Sequence, residues 1–533
     1  MRRFNVTGVC VPEKHYMVDI SGKLVQIREM VDRGDYFTIN RARQYGKTTT
    51  LSLLKKILRE DYIVASISFE GLGDNSFASD EAFCAAFIDL VYEALAFSDV
   101  PDGYKESWLD TKVTDFRGLS RHITTMCRPD AIGAGKRLVL MIDEVDKTSN
   151  NRTYLHFLGL LRDKYLRQQQ SEDYTFHSVI LAGVYDIRNI KLRMINEGVY
   201  LPAATENAIY NSPWNIAADF RVDMSFSPDE IATMLTDYDA DHGTGMDIHA
   251  LAGEIHSFTS GYPFLVSRIC QIVDSAPEKD WTPRGVQKAL SSILRERNTL
   301  FDDLYKNMEN NQGLYDLLYD VLMLGKKRTY VVGSPAVDIA DIYGIIKETD
   351  QGVAVSNRIF ELVICNYFIA KDEALPKRRI TSVLQEDVVD GGHFDMELCL
   401  RKFAEHYAEI FSERDAAFLE REGRLLFLSY LKPLINGQGF YHIESQFTDL
   451  RRMDVVVDFG ADQFIIELKL WKGEAAHERA YEQLAGYLGS KGATEGYLLT
   501  FDFRKGVEKQ PRAEWVDFDG KRLFDVIAVA DNA

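Results

Sequence analysis

The run "YFTINRARQYGKTTTLSLLKKIL", residues 36 to 58, constrains the fold of this chain more than any other stretch. A short apolar segment leads through a polar loop into Gly46-Lys47-Thr48, and "TTTLSLLKKIL" then carries apolar residues at helical spacing. Strand, glycine-containing loop and amphipathic helix in that order belong to a parallel α/β sheet. The same order suits a phosphate-binding loop. Backbone N–H groups and the helix N-terminus surround the phosphates, Gly46 permits close approach, Lys47 reaches the β- and γ-phosphates, and Thr48, with Thr49 beside it, holds Mg2+. The usual pattern G-x-x-x-x-G-K-[ST] places glycine where this chain has Arg41. Standing alone, the tripeptide is a weak signal.

Context strengthens it. "YFTIN", "YIVASISF", "RLVLMID", "FHSVILAGV" and "DFRVDMSF" alternate with longer amphipathic segments over the first 230 residues, which predicts a parallel sheet wrapped by helices. The third of these runs ends in Asp143-Glu144, as a Walker B strand does. Asp143 would bind the Mg2+ shell and Glu144 would orient or deprotonate the attacking water. A buried strand ending in solvated acids explains that segment equally well by itself; the two motifs in this order favour a nucleotide site.

The chain of 533 residues is too long for one core, and two to four domains are expected. A formal charge of -19 excludes general polyanion binding through the bulk field, so nucleic-acid contact would need local basic surface. Lys326-Lys327-Arg328, Lys377-Arg378-Arg379 and Arg451-Arg452 are the candidates, and each also fits a solvated loop. The six cysteines are scattered without C-x-x-C pairs, which argues against a zinc cluster or disulfide framework and suits reduced thiols. Neither a signal peptide nor a transmembrane span is legible, so a soluble, cytoplasmic protein without a membrane partner is expected.

Domain boundaries are expected at 1–228 for the α/β core and 229–375 for a helical region whose last part, with a turn-linked strand pair, is compatible with a small winged-helix unit. A polar linker follows at 376–394, then a mixed α/β domain at 395–533. In that last region "RRMDVVVDFGADQFIIELKLW" sets Asp454 before one strand, with Glu467 and Lys469 on one side of the next. Charges on an apolar strand are costly without a partner or metal. Two carboxylates and a lysine can hold Mg2+ or Mn2+ against a phosphodiester, the lysine placing the attacking water or stabilising developing charge. An exposed hairpin with one salt bridge is the plainer reading of a lone E-x-K. Here the pattern is D-x(12)-E-x-K, with an acid-bearing helix before it and a helix carrying Gln483 after it.

Two resemblances follow from these motifs. "VDISGKLVQIREMVDRGDYFTINRARQYGKTTTLSLL", "MIDEVDK", "VILAGVYDIRNIK", "SPWNIAADFRVDMSFSPDEI" and "TSGYPFLVSRIC" resemble the predicted AAA-ATPase-like proteins common in bacteria, whose loop reads R-x-R-x-x-G-K-[ST]. The resemblance spans roughly residues 10 to 275. It implies an ATP site in which Arg41 is a regular feature, with Arg41 or Arg43 adding charge near the phosphates or pairing with an acid. Tyr185 and Asp186 stand where relatives carry a sensor group, and Arg268 is the candidate second sensor, although a surface or salt-bridge role suits Arg268, Arg162 and Arg188 too. Residues 395 to 505 look like the PD-(D/E)xK nuclease superfamily, often fused to that ATPase family. By this resemblance Asp454 and Glu467 are metal ligands, Lys469 the catalytic lysine, Gln483 an auxiliary polar group and Glu422, or Glu420, the helical acid; Met453 replaces the usual proline. The expectation is an ATP-regulated, metal-dependent nuclease, with DNA favoured over RNA and defence against foreign DNA as a context. Homo-oligomerisation is left open. The alternative is a nucleotide-dependent switch or scaffold that binds nucleic acid or protein without cutting.

Overall fold

The computed structural model describes residues 2–98, 100–101, 103–110, 112–132, 135–145, 152–183, 214–323, 326–350, 352–373, 388–390, 392–410, 420–435, 439–442, 455–460, 462–502, 504 and 509–529. By packing, the chain divides into two units: residues 1–256 with 260–271 and 342–344, and residues 257–259 with 272–341 and 345–533.

In the first unit, β1 (Tyr36–Asn40), β2 (Tyr62–Ser68), β3 (Arg137–Asp143) and β4 (Ser178–Gly183) form a parallel sheet in the order β1-β4-β3-β2. β1, β3 and β4 are buried almost throughout, which is why they read as continuous apolar runs rather than alternating ones. Helices α1 (Ser21–Asp32), α2 (Lys47–Leu58), α3 (Asp80–Leu95), α4 (Phe116–Met126), α5 (Pro129–Ile132) and α6 (Arg152–Gln169) accompany the sheet. An aromatic core of Phe69, Phe83, Phe87 and Phe157 fills the space over it, with Phe83 and Phe157 centroids 5.1 Å apart.

The expected fifth strand, "DFRVDMSF", is not a strand. Ala218 makes one bridge to Phe37, and residues 219–226 run on without a ladder. Side chains satisfy the backbone instead: Asp223 accepts from the Ser225 N–H at 2.9 Å, and Arg41 donates to the Val222 carbonyl at 3.0 Å. The alternation that suggested a strand still buries Val222 and Met224. Helix α7 (Pro228–His242) follows and is sharply started: Ser227 accepts the Glu230 N–H while the Glu230 carboxylate accepts the Ser227 N–H. α8 (Ile248–Thr259) and α9 (Pro263–Ser275) come next.

The second unit begins with helices α10 (Pro283–Ile293), α11 (Thr299–Asn310), α12 (Gln312–Leu322) and α13 (Pro335–Ile342). The expected strand pair is the hairpin β5 (Ile346–Thr349) and β6 (Gly352–Val355), followed by α14 (Arg358–Glu373). Of the basic clusters, Lys326 and Arg328 both pair with Asp320, which offsets one of their two charges. Residues 377–379 and 451–452 lie outside the described residues.

After the short pair β7 (Val389–Asp390) and β8 (His393–Phe394) come α15 (Met396–Ile410) and α16 (Glu420–Ile435). A six-stranded mixed sheet follows, in the order β13-β14-β12-β11-β10-β9. Its strands are β9 (Gly439–His442), β10 (Val455–Phe459), β11 (Asp462–Leu470), β12 (Glu495–Asp502), β13 (Arg512–Phe518) and β14 (Lys521–Val529). Helix α17 (Glu474–Lys491) connects the parallel strands β11 and β12, packing Tyr481, Leu484 and Leu488 on Ile465, Leu498 and Leu523. Among the described residues, no helix is long and apolar enough to cross a membrane.

Candidate functional site

The first site lies at the carboxyl ends of β1 and β3, where parallel sheets expose the N-termini of following helices. Gly46 caps α2 at φ 79°, a left-handed conformation that the sequence supplies with glycine. Lys47, 7% exposed, donates to the carbonyls of Arg41 at 2.8 Å and Ala42 at 3.0 Å, so its ammonium is folded back inside the loop. Thr48 Oγ1 donates to Asp143 Oδ2 at 2.7 Å. Two residues 95 apart in sequence thus meet in the pairing the two motifs predict. Asp143 Oδ1 also accepts the N–H of Glu144 at 2.9 Å, and Glu144 is held at φ 55°. Left-handed backbone at a non-glycine residue costs on the order of 1 kcal/mol and fixes the direction in which that side chain leaves the strand. The hydroxyl of Thr48 and the carboxylate of Asp143 are hard oxygen donors and fit Mg2+.

Beside this loop is a mainly apolar pocket lined by the N-terminal segment (Val6, Tyr16 and Val18 among others), Tyr45, Thr49 and, from α9, Phe264. Thr49 Oγ1 accepts the Cys10 N–H at 3.1 Å, tying the N-terminal segment to α2. Burial pushes the Tyr45 phenol up to about 12, so it stays neutral at ordinary pH. Gly261 shapes the pocket wall: a Cβ there would lie 2.0 Å from the Phe226 carbonyl oxygen. Sequence reasoning missed the N-terminal segment, whose only signal is its apolar residues Val6, Val9, Val11, Met17 and Val18 ahead of α1.

Arg41 and Arg43 part company. The Arg41 guanidinium donates to the carbonyls of Asn40 at 2.8 Å and Val222 at 3.0 Å and lies over the Phe220 ring. Arg43 is exposed, and its carbonyl accepts the Tyr262 hydroxyl at 2.6 Å. Arg268 sits one residue beyond the pocket-lining Ser267 and donates to the Gln271 side chain. Tyr185, Asp186 and Arg188 lie outside the described residues.

In the second unit, Glu467 is fully buried and Lys469 is 29% exposed, with Nζ and Oε1 2.5 Å apart. Both point to the α17 face of the sheet, since they lie two and four residues along β11 from Ile465, which clusters with Leu484. Asp454 and the side chains of Glu420 and Glu422 lie outside the described residues; Val455, next to Asp454, pairs with Ile466, next to Glu467. Gln483 is exposed, off the stripe of α17 that packs on the sheet.

The same face carries a buried polar group that sequence reasoning did not find. Asp525 Oδ2 takes contacts from His477 Nε2 at 3.0 Å, the Tyr481 hydroxyl at 2.7 Å and Arg512 Nη1 at 3.1 Å. Burial and the Asp525 carboxylate raise the Tyr481 phenol well above its ordinary value, which makes it a donor here. His477 Nδ1 is 3.4 Å from the Thr500 hydroxyl, and Thr500 pairs in register with Lys469. These residues spread over three strands and a helix, with no local motif to reveal them. Among the described residues there is no group of three or more His, Cys, Asp or Glu placed to hold a metal.

Neither a family profile nor a curated protein sequence matches the chain. Solved structures do. A Walker-type ATPase of Pyrococcus abyssi aligns at 12% identity and TM-score 0.45, covering 68% of this chain and 99% of its own. The Aeropyrum pernix ORC2 protein aligns in its ADPNP–ADP complexes at 11% identity and TM-score 0.33, covering 69% of this chain and 97% of its own. Its ADP form aligns at 12% identity and TM-score 0.36 over the same shares.

Proposed function

We propose that the first unit binds and hydrolyses ATP. The observation that carries this reading is the Thr48–Asp143 hydrogen bond beside an apolar pocket. Lys47 would leave the loop carbonyls for the β- and γ-phosphates, and the α2 N-terminus would supply backbone donors. Thr48 and Asp143 would hold Mg2+, which when bound offsets the phosphate charge. Glu144, directed by its backbone conformation, would orient and deprotonate the attacking water. The apolar pocket would take the base. Phosphate release from ATP tests this: wild type should turn over and Lys47→Ala should not. Equal turnover by both would remove the assignment.

For the second unit we propose a metal-dependent nuclease acting on DNA, controlled by the nucleotide state of the first, with defence against foreign DNA as the context. Its support is the buried Glu467 with Lys469 at the start of a β11–α17–β12 crossover, together with the D-x(12)-E-x-K spacing that includes Asp454. Glu467 and Asp454 would hold Mg2+ or Mn2+ and Lys469 would stabilise charge developing on the scissile phosphate. Plasmid and linear DNA incubated with either metal, with and without ATP, should be cut by wild type and not by Glu467→Ala or Lys469→Ala.

A second reading, a nucleotide-dependent switch or scaffold that binds nucleic acid or protein without cutting, is favoured by one feature. Glu467 has no exposed surface and is closed by Lys469, as a purely fold-stabilising ion pair would be. Under that reading wild type leaves DNA and RNA intact in every nucleotide condition.

A further inference from the structure

We infer that Arg41 is a positioning residue of the phosphate loop, a strut between the loop and residues 218–222, and not a ligand of the phosphates. The inference rests on the nucleotide reading above.

The guanidinium is already occupied. It donates to the Asn40 and Val222 carbonyls at 2.8 and 3.0 Å, and its carbon lies 5.6 Å from the centre of the Phe220 ring. Two carbonyl oxygens and an aromatic face are all electron-rich partners that a planar cation can meet at once. The segment it grips needs a fastener. Residues 214–222 run beside β1 without forming a ladder: Ala218 N–H donates to the Tyr36 carbonyl at 2.8 Å, and Phe220 stacks on Phe37 at 5.9 Å and 5°. Beyond those contacts, the Arg41–Val222 bond does the work that ladder hydrogen bonds do elsewhere in the sheet.

The strut joins both ends of the candidate pocket. On the loop side, the Arg41 N–H is tied to the Gly183 carbonyl at 3.1 Å, and the Arg41 carbonyl receives Lys47 Nζ at 2.8 Å. On the other side, Val222 leads within four residues to Met224 and Phe226, which line the pocket. Phe226 is fixed in turn by its N–H to the Gly261 carbonyl at 2.8 Å. Glycine at position 41, as in the usual phosphate loop, removes this direct link and leaves only the indirect one through Gly261 and Tyr262. An arginine there sets the loop at a fixed height over the segment that carries the base-side residues.

Loss of the strut should therefore weaken ATP and ADP alike and share its effect with Phe220, whereas loss of a γ-phosphate ligand should act on ATP alone and loss of any phosphate ligand should be independent of Phe220. The test is a double-mutant cycle on the full chain, with ATP and ADP affinities measured for wild type, Arg41→Ala, Arg41→Lys, Phe220→Ala and Arg41→Ala/Phe220→Ala. Arg41→Ala and Phe220→Ala should each weaken ATP and ADP by a common factor of about ten, the loss expected for one charge-assisted contact. The double variant should be no weaker than the worse single one, and Arg41→Lys should not restore binding, because an ammonium cannot span both carbonyls and the ring. Multiplying losses in the double variant, or a Phe220→Ala protein that binds normally, would overturn the inference.

Amide exchange in the nucleotide-free protein supplies an arm independent of ATP. Arg41→Ala should speed exchange at Ala218 and unchanged exchange there would also overturn it. Failure of the nucleotide reading looks different: wild type and Lys47→Ala then bind ATP equally, while the exchange result still decides the strut.

Discussion

Replacing Glu144 separates the chemistry of that residue from the cost of its backbone. Glu144 is held at φ 55°, and the same conformation lets its N–H reach Asp143 Oδ1 at 2.9 Å. An alanine at this position keeps a strain of about 1–2 kcal/mol. Glycine removes it but returns about 0.5–1 kcal/mol through its freer unfolded chain. Glu144→Gly should therefore exceed Glu144→Ala in stability by about 0.5–1 kcal/mol, or about 1–4 °C in Tm for a unit of this size. Glu144→Gln keeps both backbone and volume. All three variants should bind ATP within about threefold of wild type yet lose roughly 100-fold or more of phosphate release, the range for a missing general base. Differential scanning calorimetry and a phosphate-release assay read the two halves separately. Turnover retained by Glu144→Gln would refute the catalytic role, and Glu144→Gly no more stable than Glu144→Ala would refute the strain.

Three further predictions concern buried charge. The side chains of Lys164 and Asp173, 2.9 Å apart, are almost wholly buried and share Thr124 as a hydrogen-bond partner, so Lys164→Met should cost about 3–5 kcal/mol and Lys164→Met/Asp173→Leu should recover much of it in denaturant melts. Burial pushes the Asp173 carboxyl up, but its hydrogen bonds from Lys164 and Thr124 more than offset this and hold it below its ordinary value. A depressed carboxyl contributes stability above its unfolded pKa of about 3.9 and loses it as pH falls through the folded value, so wild type should lose stability below about pH 4 more steeply than Asp173→Asn. In the second unit, Asp525→Ala strands His477, Tyr481 and Arg512, and should lower stability by about 3–5 kcal/mol, read as an earlier unfolding transition.

Much of this molecule was legible in its sequence because the signals are local. β1 through β4 and the hairpin of β5 and β6 each announce themselves in a window shorter than twenty residues, and β11 and α17 do so as two separate local runs. The Thr48–Asp143 meeting was legible as well, since each half is a motif. Residues 219–226 misled because alternation records which side chains are buried, and burial does not require ladder bonds when an arginine satisfies the carbonyl. The hairpin of β13 and β14 carries its own signal: Asp519-Gly520, both at positive φ, between alternating runs. Neither the Asp525 group nor the Arg41 strut could be read, because each joins residues remote in sequence whose meeting depends on the folded sheet. Gln483, the auxiliary group the resemblance implies, lies exposed on α17.

The most direct measurement of the central claim is calorimetric titration of the full chain with ATP in the presence of Mg2+, wild type against Lys47→Ala. Saturable one-site binding by wild type, weakened by about 100-fold or more in Lys47→Ala, is the predicted result. No binding by wild type, or binding that Lys47→Ala leaves unchanged, would contradict it.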